Sequence, residues 1–246
     1  MDTSDRSRGI VLAACLIALG IAIAGWFAGS ALVRGRAADR IVTVKGVAER
    51  EVQSDLALWP IQFVAAEDDL ARAQANIAIT QKEVSAFLAR HGITPAQVQL
   101  QDLSVTDTQA NRYGGQAGGK RFVINQTVMV RSTEPEVVFT ASQQVGELVE
   151  KGVILSSDGG WGGGPTFLFT KLNDVKPAMI AAATANAREA AEQFAKDSNS
   201  RLGGIRNANQ GLFVILPRDQ AAGVQEQRQR TKIVRVVSTV DYLLRD

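Results

Sequence analysis

Residues 41–246 read as an α+β domain of mainly antiparallel sheet, with three helices in hairpin-then-helix order, preceded by one transmembrane helix. Three observations carry that reading. Segments with a two-residue apolar period come in pairs, as in Ile41–Gln53 with 56–65 and Val98–Thr108 with Arg121–Arg131. Segments of helical period lie between and after those pairs, without the strict strand-helix-strand alternation of a parallel sheet. The 25 residues from Gly9 to Val33 contain no Asp, Glu, Lys, Arg or His.

That apolar run follows a short tail, residues 1–8, and precedes a polar collar, residues 34–40. As a helix rising about 1.5 Å per residue it would exceed a hydrocarbon core of roughly 30 Å. Arg6 and Arg8 flank it on one side, Arg34, Arg36 and Arg40 on the other, and Trp26 suits an interface. The expected partner of residues 9–33 is therefore a lipid bilayer. Gly25 and Gly29 form a small-xxx-small pair through which two such helices would approach closely. Two other readings compete. A cleavable signal peptide has a shorter apolar core, of about 7–15 residues, and would be cut near Ala28-Gly29-Ser30. Leu12-Ala13-Ala14-Cys15 resembles the box before a lipidated cysteine, although Cys15 also suits the interior of a span.

In the domain, Val42, Val44 and Gly46 alternate with Thr43, Lys45 and Val47, which predicts a first strand. Ser54-Asp55 turns it into a second, where Pro60, lacking an amide hydrogen, is expected at an edge or bulge. Glu67, Asp68 and Asp69 are expected to open a helix, their charges facing its exposed amides. Ala73, Ile77, Val84, Phe87 and Leu88 give that helix its apolar face, and Gly92 ends it. Val98–Thr108 and Arg121–Arg131 form a strand pair around a glycine-rich loop. In the second strand Phe122, Ile124, Gln126, Val128 and Val130 share a face.

Thr133 and Glu136 have capping-box spacing and predict a helix running to Gly152. A short strand at Val153–Ser156 leads to Asp158-Gly159-Gly160-Trp161-Gly162-Gly163-Gly164, and another strand follows at Thr166–Lys171. Asn173 or Asp174 is expected to cap a helix to about Ser200, in which nine of the eighteen residues from Ala178 to Ala195 are alanine. So little bulk lets its backbone lie close to a sheet or another helix. Arg201–Gly204 is expected to end it, with a strand at Leu212–Leu216. Residues 218–230 are polar and read as an excursion from the domain. Lys232–Leu244 is the longest strand candidate, with a terminal, unpaired look.

Charge and chemistry narrow the function classes. Residues 1–40 hold five arginines and three aspartates, so the remainder carries 22 charges of each sign. A neutral domain without a basic stripe is a poor partner for nucleic acid. There is no phosphate-binding loop, His-Glu-x-x-His motif, nucleophile elbow or dinucleotide fingerprint. The single cysteine lies in the apolar run, leaving the domain without disulfides or thiol chemistry. His91, the only histidine, stands at a helix C-terminus, where capping is the expected role. No catalytic residue, cofactor or metal site is predicted. The candidate interface is Trp161 with Gly160 and Gly162, since tryptophan is enriched at binding hot spots, against the plain alternative of a side chain folded back on its own domain.

Several stretches together resemble the SIMPL domain family. They are IVTVKGVAEREVQSDLALWPIQFVA, in which Ser54 stands where the family usually has proline; the helix end HGI with VQLQDLSV; KRFVINQTVMVR; and LNDVKPAMIAAATANAREAAEQFAKDSNSRLGGI. The resemblance implies an exported bacterial α+β domain with no established enzymatic activity. It also implies links to oxidative-stress defence and immunogenic envelope proteins, and assembly into large ring- or channel-like oligomers. The expected partner is thus the chain itself, at the periplasmic face of a bacterial inner membrane. Positive charge is denser after the apolar run than before it, which taken alone favours the opposite orientation. Two further readings stand beside assembly: a monomeric or small-oligomer module recruiting a partner through the Trp161 loop or by strand addition, and a hydrolase built on carboxylates.

Overall fold

The computed structural model describes residues 16–31, 40–110, 119–156 and 163–245. Helix α1 covers residues 16–31. The strands are β1 (Ile41–Gln53), β2 (Leu56–Glu67), β3 (Val98–Asp107), β4 (Phe122–Ser132), β5 (Ile154–Leu155), β6 (Thr166–Leu168), β7 (Arg201–Gln210), β8 (Val214–Pro217) and β9 (Thr231–Arg245). The other helices are α2 (Leu70–Arg90), α3 (Pro135–Gln143), α4 (Gly146–Glu150) and α5 (Leu172–Asp197). The fold is α+β, and the pairings of β2 with β4, β5 and β6, of β3 with β4, and of β9 with β7 and β8 are antiparallel. One sheet has the order β1-β9-β7 with β8 also on β9, and the other β3-β4-β2-β5 with β6 also on β2.

The chain divides into two compact units. The first comprises Met1–Ala48, Ile180–Leu212 and Val236–Asp246, the second Glu49–Met179 and Phe213–Arg235. In the second, Phe63 and Trp59 of β2, Ile124, Val128 and Val130 of β4, and Ile77, Val84, Phe87 and Leu88 of α2 form one buried cluster. Asp69 caps α2 by accepting from the Arg72 amide at 2.9 Å. At the other end Gly92, with φ of 81°, donates to the Ala89 carbonyl while Ile93 donates to that of Leu88. Only glycine takes that left-handed turn without strain. Helix α4 ends the same way at Gly152, whose φ is 82°, with Val153 donating to Leu148.

In the first unit Val42 and Val44 of β1, Val240 and Tyr242 of β9, and Ala187 and Ala191 of α5 form the core. A Cβ built on Gly46 would stand 1.9 Å from the Ala183 carbonyl oxygen and 2.5 Å from the Ala187 nitrogen. The alanine-rich helix does lie close to a sheet, and the approach requires glycine beneath it.

The expected span, residues 9–33, falls only partly within the described residues, and several other expectations need correcting. Helix α1 is sixteen residues, about 24 Å long, and among the described residues no helix is long and apolar enough to cross a membrane. The rest of Gly9–Val33 lies outside the described residues. Pro60 is not on an edge strand: β2 is central, and Pro60 sits between the stretch that pairs with β6 and the stretch that pairs with β5. The Thr133–Glu136 capping box is absent; Ser132 Oγ accepts from the Glu134 amide, and Pro135 opens α3 with a preset φ. The predicted single helix is two, α3 and α4. Helix α5 begins at Leu172, which places Asn173 and Asp174 inside its first turn. Residues 201–210 form strand β7, which the glycines at 203 and 204 conceal in the sequence. The last strand, β9, is no free edge, since it lies between β1 and β7.

Candidate interaction surfaces

Three surfaces stand out from the packed cores. The first is α1. Its side chains are exposed along almost the whole described length, including Leu16, Ile17, Ile21, Trp26 and Phe27, and added Cβ atoms at Gly25 and Gly29 would meet nothing within 4 Å. Ser30 donates its hydroxyl to the Phe27 carbonyl at 3.0 Å, which satisfies the polar group inside the helix. An apolar helix of this kind in water would expose a surface that folding normally hides.

The second surface is β3, the edge of the five-stranded sheet. Its pattern departs from a half-buried strand, because residues from Gln99 to Thr106 are all exposed. Leu100 pairs with Val128, Leu103 with Gln126 and Val105 with Ile124. Directly opposed residues share a face, so these side chains continue the core face of β4 past the cover of α2. Gln101 and Asp102 fall where the register shifts, a bulge.

The third is β7, at the edge of the other sheet. Ile205 pairs with Tyr242 and Ala208 with Val240, so they too lie on the core face of their sheet, and Ile205 is exposed. Gly203, Gly204 and Ala208 leave three of its ten positions without bulk.

Residues 218–230, by contrast, do not leave the second unit. Lys232 is fully buried, donating to the Glu226 carbonyl oxygen at 2.6 Å and pairing with the Glu226 carboxylate. Arg228 donates to the Pro165 carbonyl oxygen at 3.3 Å. Arg230 pairs with Glu136 and lies 3.9 Å over the Phe139 ring. Asp219 holds the Arg218 guanidinium above its ordinary pKa by hydrogen bonding. Around these groups is a cavity of about 270 Å³ lined by Phe139, Arg218, Arg228 and Arg230 among others. Carboxylates and a carbonyl already engage its arginines, so the cluster acts as a clasp on the polar segment.

The remaining candidates have structural roles. His91 caps α2 through its backbone amide, as expected, while its ring lies 4.5 Å from that of Phe87 and its Nε2 3.4 Å from a Glu147 oxygen. Of the acidic trio only Asp69 caps α2. Glu67 accepts from Asn76, and Asp68 accepts from Lys120 at 2.6 Å, a bond that lowers the Asp68 pKa and raises that of Lys120. Arg121 likewise lowers the Asp107 pKa through their hydrogen bonds. Among the described residues no three His, Cys, Asp or Glu side chains converge as a metal ion would require. Trp161, Gly160 and Gly162 lie outside the described residues.

Residues 42–240, from β1 to β9, match SIMPL, described as a protein of unknown function (DUF541). The chain belongs to the SIMPL family. No curated protein matches it. The SIMPL match takes in both sheets and helices α2 to α5, including β3 and β7, and leaves α1 outside it.

Proposed function

We propose that this SIMPL protein is a non-enzymatic, membrane-anchored component of the bacterial envelope. Its domain faces the periplasm and assembles with copies of itself into a ring- or channel-like oligomer, in a role linked to oxidative-stress defence. The observation that carries the reading is α1, a helix of apolar side chains exposed along its length. A bilayer removes that surface from water, and Gly25 and Gly29 leave room on it for a second helix. The domain keeps two exposed edge strands, and an edge left open is a template for pairing with another chain. The ring-like assemblies that the family resemblance implies accord with the same reading.

The test is the full-length protein in mild detergent, measured by mass photometry and single-particle imaging. The expected result is a closed oligomer with its α1 helices gathered in the detergent belt; monomers at every concentration would overturn it. A reporter fused after Asp246 should be active only outside the cytoplasm. Membranes washed with alkaline carbonate should retain the chain and release a variant lacking residues 1–33.

A further inference from the structure

We infer that β3 is a two-fold contact between copies, pairing antiparallel with β3 of a second chain; the inference rests on the self-assembly reading. Among the described residues no strand pairs with the outer edge of β3, and its residues from Gln99 to Thr106 are exposed. Val98, Leu100, Leu103 and Val105 pair with Val130, Val128, Gln126 and Ile124, all buried, so the four share the core face of the sheet. Leu100, Leu103 and Val105 are nevertheless exposed to 50, 60 and 52%.

What selects a second β3 is the order of residues along the strand. Val98-Gln99-Leu100-Gln101 and Asp102-Leu103-Ser104-Val105 mirror each other in polarity about the bulge. Turned about a two-fold axis between Gln101 and Asp102, the strand sets Val98 against Val105 and Leu100 against Leu103, each twice. On the other face Gln99 meets Ser104. No other antiparallel self-register matches all four apolar residues with one another. A bulge ordinarily blunts an edge, but this one makes the pairing possible. Residues facing across an antiparallel pair must turn their amides the same way, and amide direction alternates along a regular strand. Val98 and Val105 stand seven apart, and Leu100 and Leu103 three apart, odd separations that a regular strand would put out of phase. The extra residue of the bulge brings both pairs back into phase.

Charge agrees with the register. Asp102 is the only ionisable residue from Val98 to Val105, and the two-fold sets it opposite Gln101, whose amide nitrogen can donate to it, not opposite a second Asp102. Asp107, beyond the paired stretch, is matched by Arg121. The edge strand β1, by comparison, carries Lys45, Glu49, Arg50 and Glu51, the kind of charge that keeps an edge from pairing. In the joined sheet the four apolar side chains of each copy line up with those of the other on the face that α2 covers. One strand pair is small beside the roughly 1,600 Å² of a standard interface, so the pairing is expected to depend on concentration. A two-fold contact ends at two copies. A closed ring containing it therefore holds an even number of chains, its pairs joined through a second surface.

The test is register-specific cross-linking of the full-length protein in mild detergent, in a Cys15→Ser background so that the introduced thiols are the only ones. Under mild oxidation, Leu100→Cys mixed with Leu103→Cys should form a disulfide-linked dimer roughly tenfold faster than either variant alone, because only the mixture brings opposed positions within disulfide reach. Both positions are exposed, so the substitutions leave the fold intact. Leu100→Cys mixed with Val105→Cys, which the two-fold sets diagonally, should stay near the rate of the single variants. Leu103→Lys, which drives a charge against Leu100 of the neighbour, should raise the concentration needed for half-pairing by roughly tenfold or more. If the wild type assembles and the first mixture links no faster than its components, the edge pairing is wrong while self-assembly stands. A ring with an odd number of copies in single-particle images would overturn it equally. A monomeric wild type whose mixture does not cross-link removes both readings, whereas a linked pair that grows no further keeps this contact and removes the ring.

Discussion

Helices α2 and α5 each cover an antiparallel sheet, yet they do it by opposite means. Under α2 the contact is made by Ile77, Val84, Phe87 and Leu88 meeting Trp59, Phe63 and Val128, so large side chains fill the space between backbones. Under α5 the contact is made by Ala187 and Ala191, with Gly46 letting the backbones of β1 and α5 nearly touch. The first layer draws its stability from apolar area removed from water. The second draws it from close approach, so it tolerates loss of bulk better than any gain. Removing atoms should therefore injure the second unit, and adding them the first.

Adding atoms has the largest expected effect. Gly46→Val would drive a branched side chain into the Ala183 carbonyl and the Ala187 backbone, neither of which can move without displacing α5. A loss of more than about 3 kcal/mol is expected, beyond ordinary overpacking, because the clash is with backbone. Hydrogen exchange should show β7 and β9 amides losing protection first. If β2 and β4 lose it equally, the two layers share one cooperative transition and the contrast between them does not extend to unfolding. The converse change, Phe87→Ala, empties a fully buried site against Trp59, whose ring lies 6.4 Å away. It should cost about 4 kcal/mol. Loss of under 1 kcal/mol in chemical denaturation would mean that the α2 layer collapses around the gap, and that bulk is not what holds it.

The second unit also has a buried charge, at Lys232. Glu226→Ala would leave the ammonium inside with the Glu226 carbonyl oxygen as its remaining partner, at an expected cost of about 3 kcal/mol. Lys232→Met keeps the volume and removes the charge, while Glu226, partly exposed, turns to water, so it should cost less than about 1 kcal/mol. The order of the two variants is the measurement. Equal losses would show that the stem of Lys232, not its charge, holds residues 226–228 in place.

The sequence disclosed the layers more readily than their edges. Period-two alternation marked β1, β4 and β9, and helical period marked α2, because each has one face buried and the pattern records that. The alanine count of α5 anticipated close approach, though not that Gly46 would meet it. Strand β7 was illegible: Gly203 and Gly204 are weak strand formers, and β9 supplies the pairing that holds them extended. Residues 218–230 looked detached because they are polar, but Lys232, Arg228 and Arg230 tie them down through partners 6 to 94 positions away. The sequence marked β3 as a strand without showing that its apolar residues stay exposed, since hydropathy shows what can be covered and not whether anything covers it. The candidate surfaces were legible to the same degree: α1 from its composition, the two edges only once the strand order was known.

The smallest expected effect separates the units by acid. Among the described residues, the carboxyls whose pKa values lie below the ordinary ones, 3.8 for aspartate and 4.5 for glutamate, are Asp55, Asp68, Asp107 and Glu83, all in the second unit. Burial pushes Asp55 up, but the bonds it accepts from the Thr170 hydroxyl and amide outweigh that and lower it. For Asp68, Asp107 and Glu83 the lowering comes from hydrogen bonds to Lys120, Arg121 and Lys151. Unfolding restores the ordinary values, so in the intervening pH range the unfolded chain binds more protons than the folded one. The stability these groups contribute is thus complete above the ordinary values and is lost as pH falls through the lowered ones. Asp68 is exposed and Asp107 and Glu83 are half-buried at the surface, so solvent keeps each contribution small. Between about pH 6 and about pH 3, exchange protection in β2 and β4 should fall more than in β7 and β9. Changing Asp107 to Asn should narrow that difference without abolishing it, because Asp55 still titrates. Equal acid loss in both sheets would mean that the ion pairs at the end of the β3–β4 hairpin contribute nothing to the unit they decorate, leaving its stability to the packing under α2.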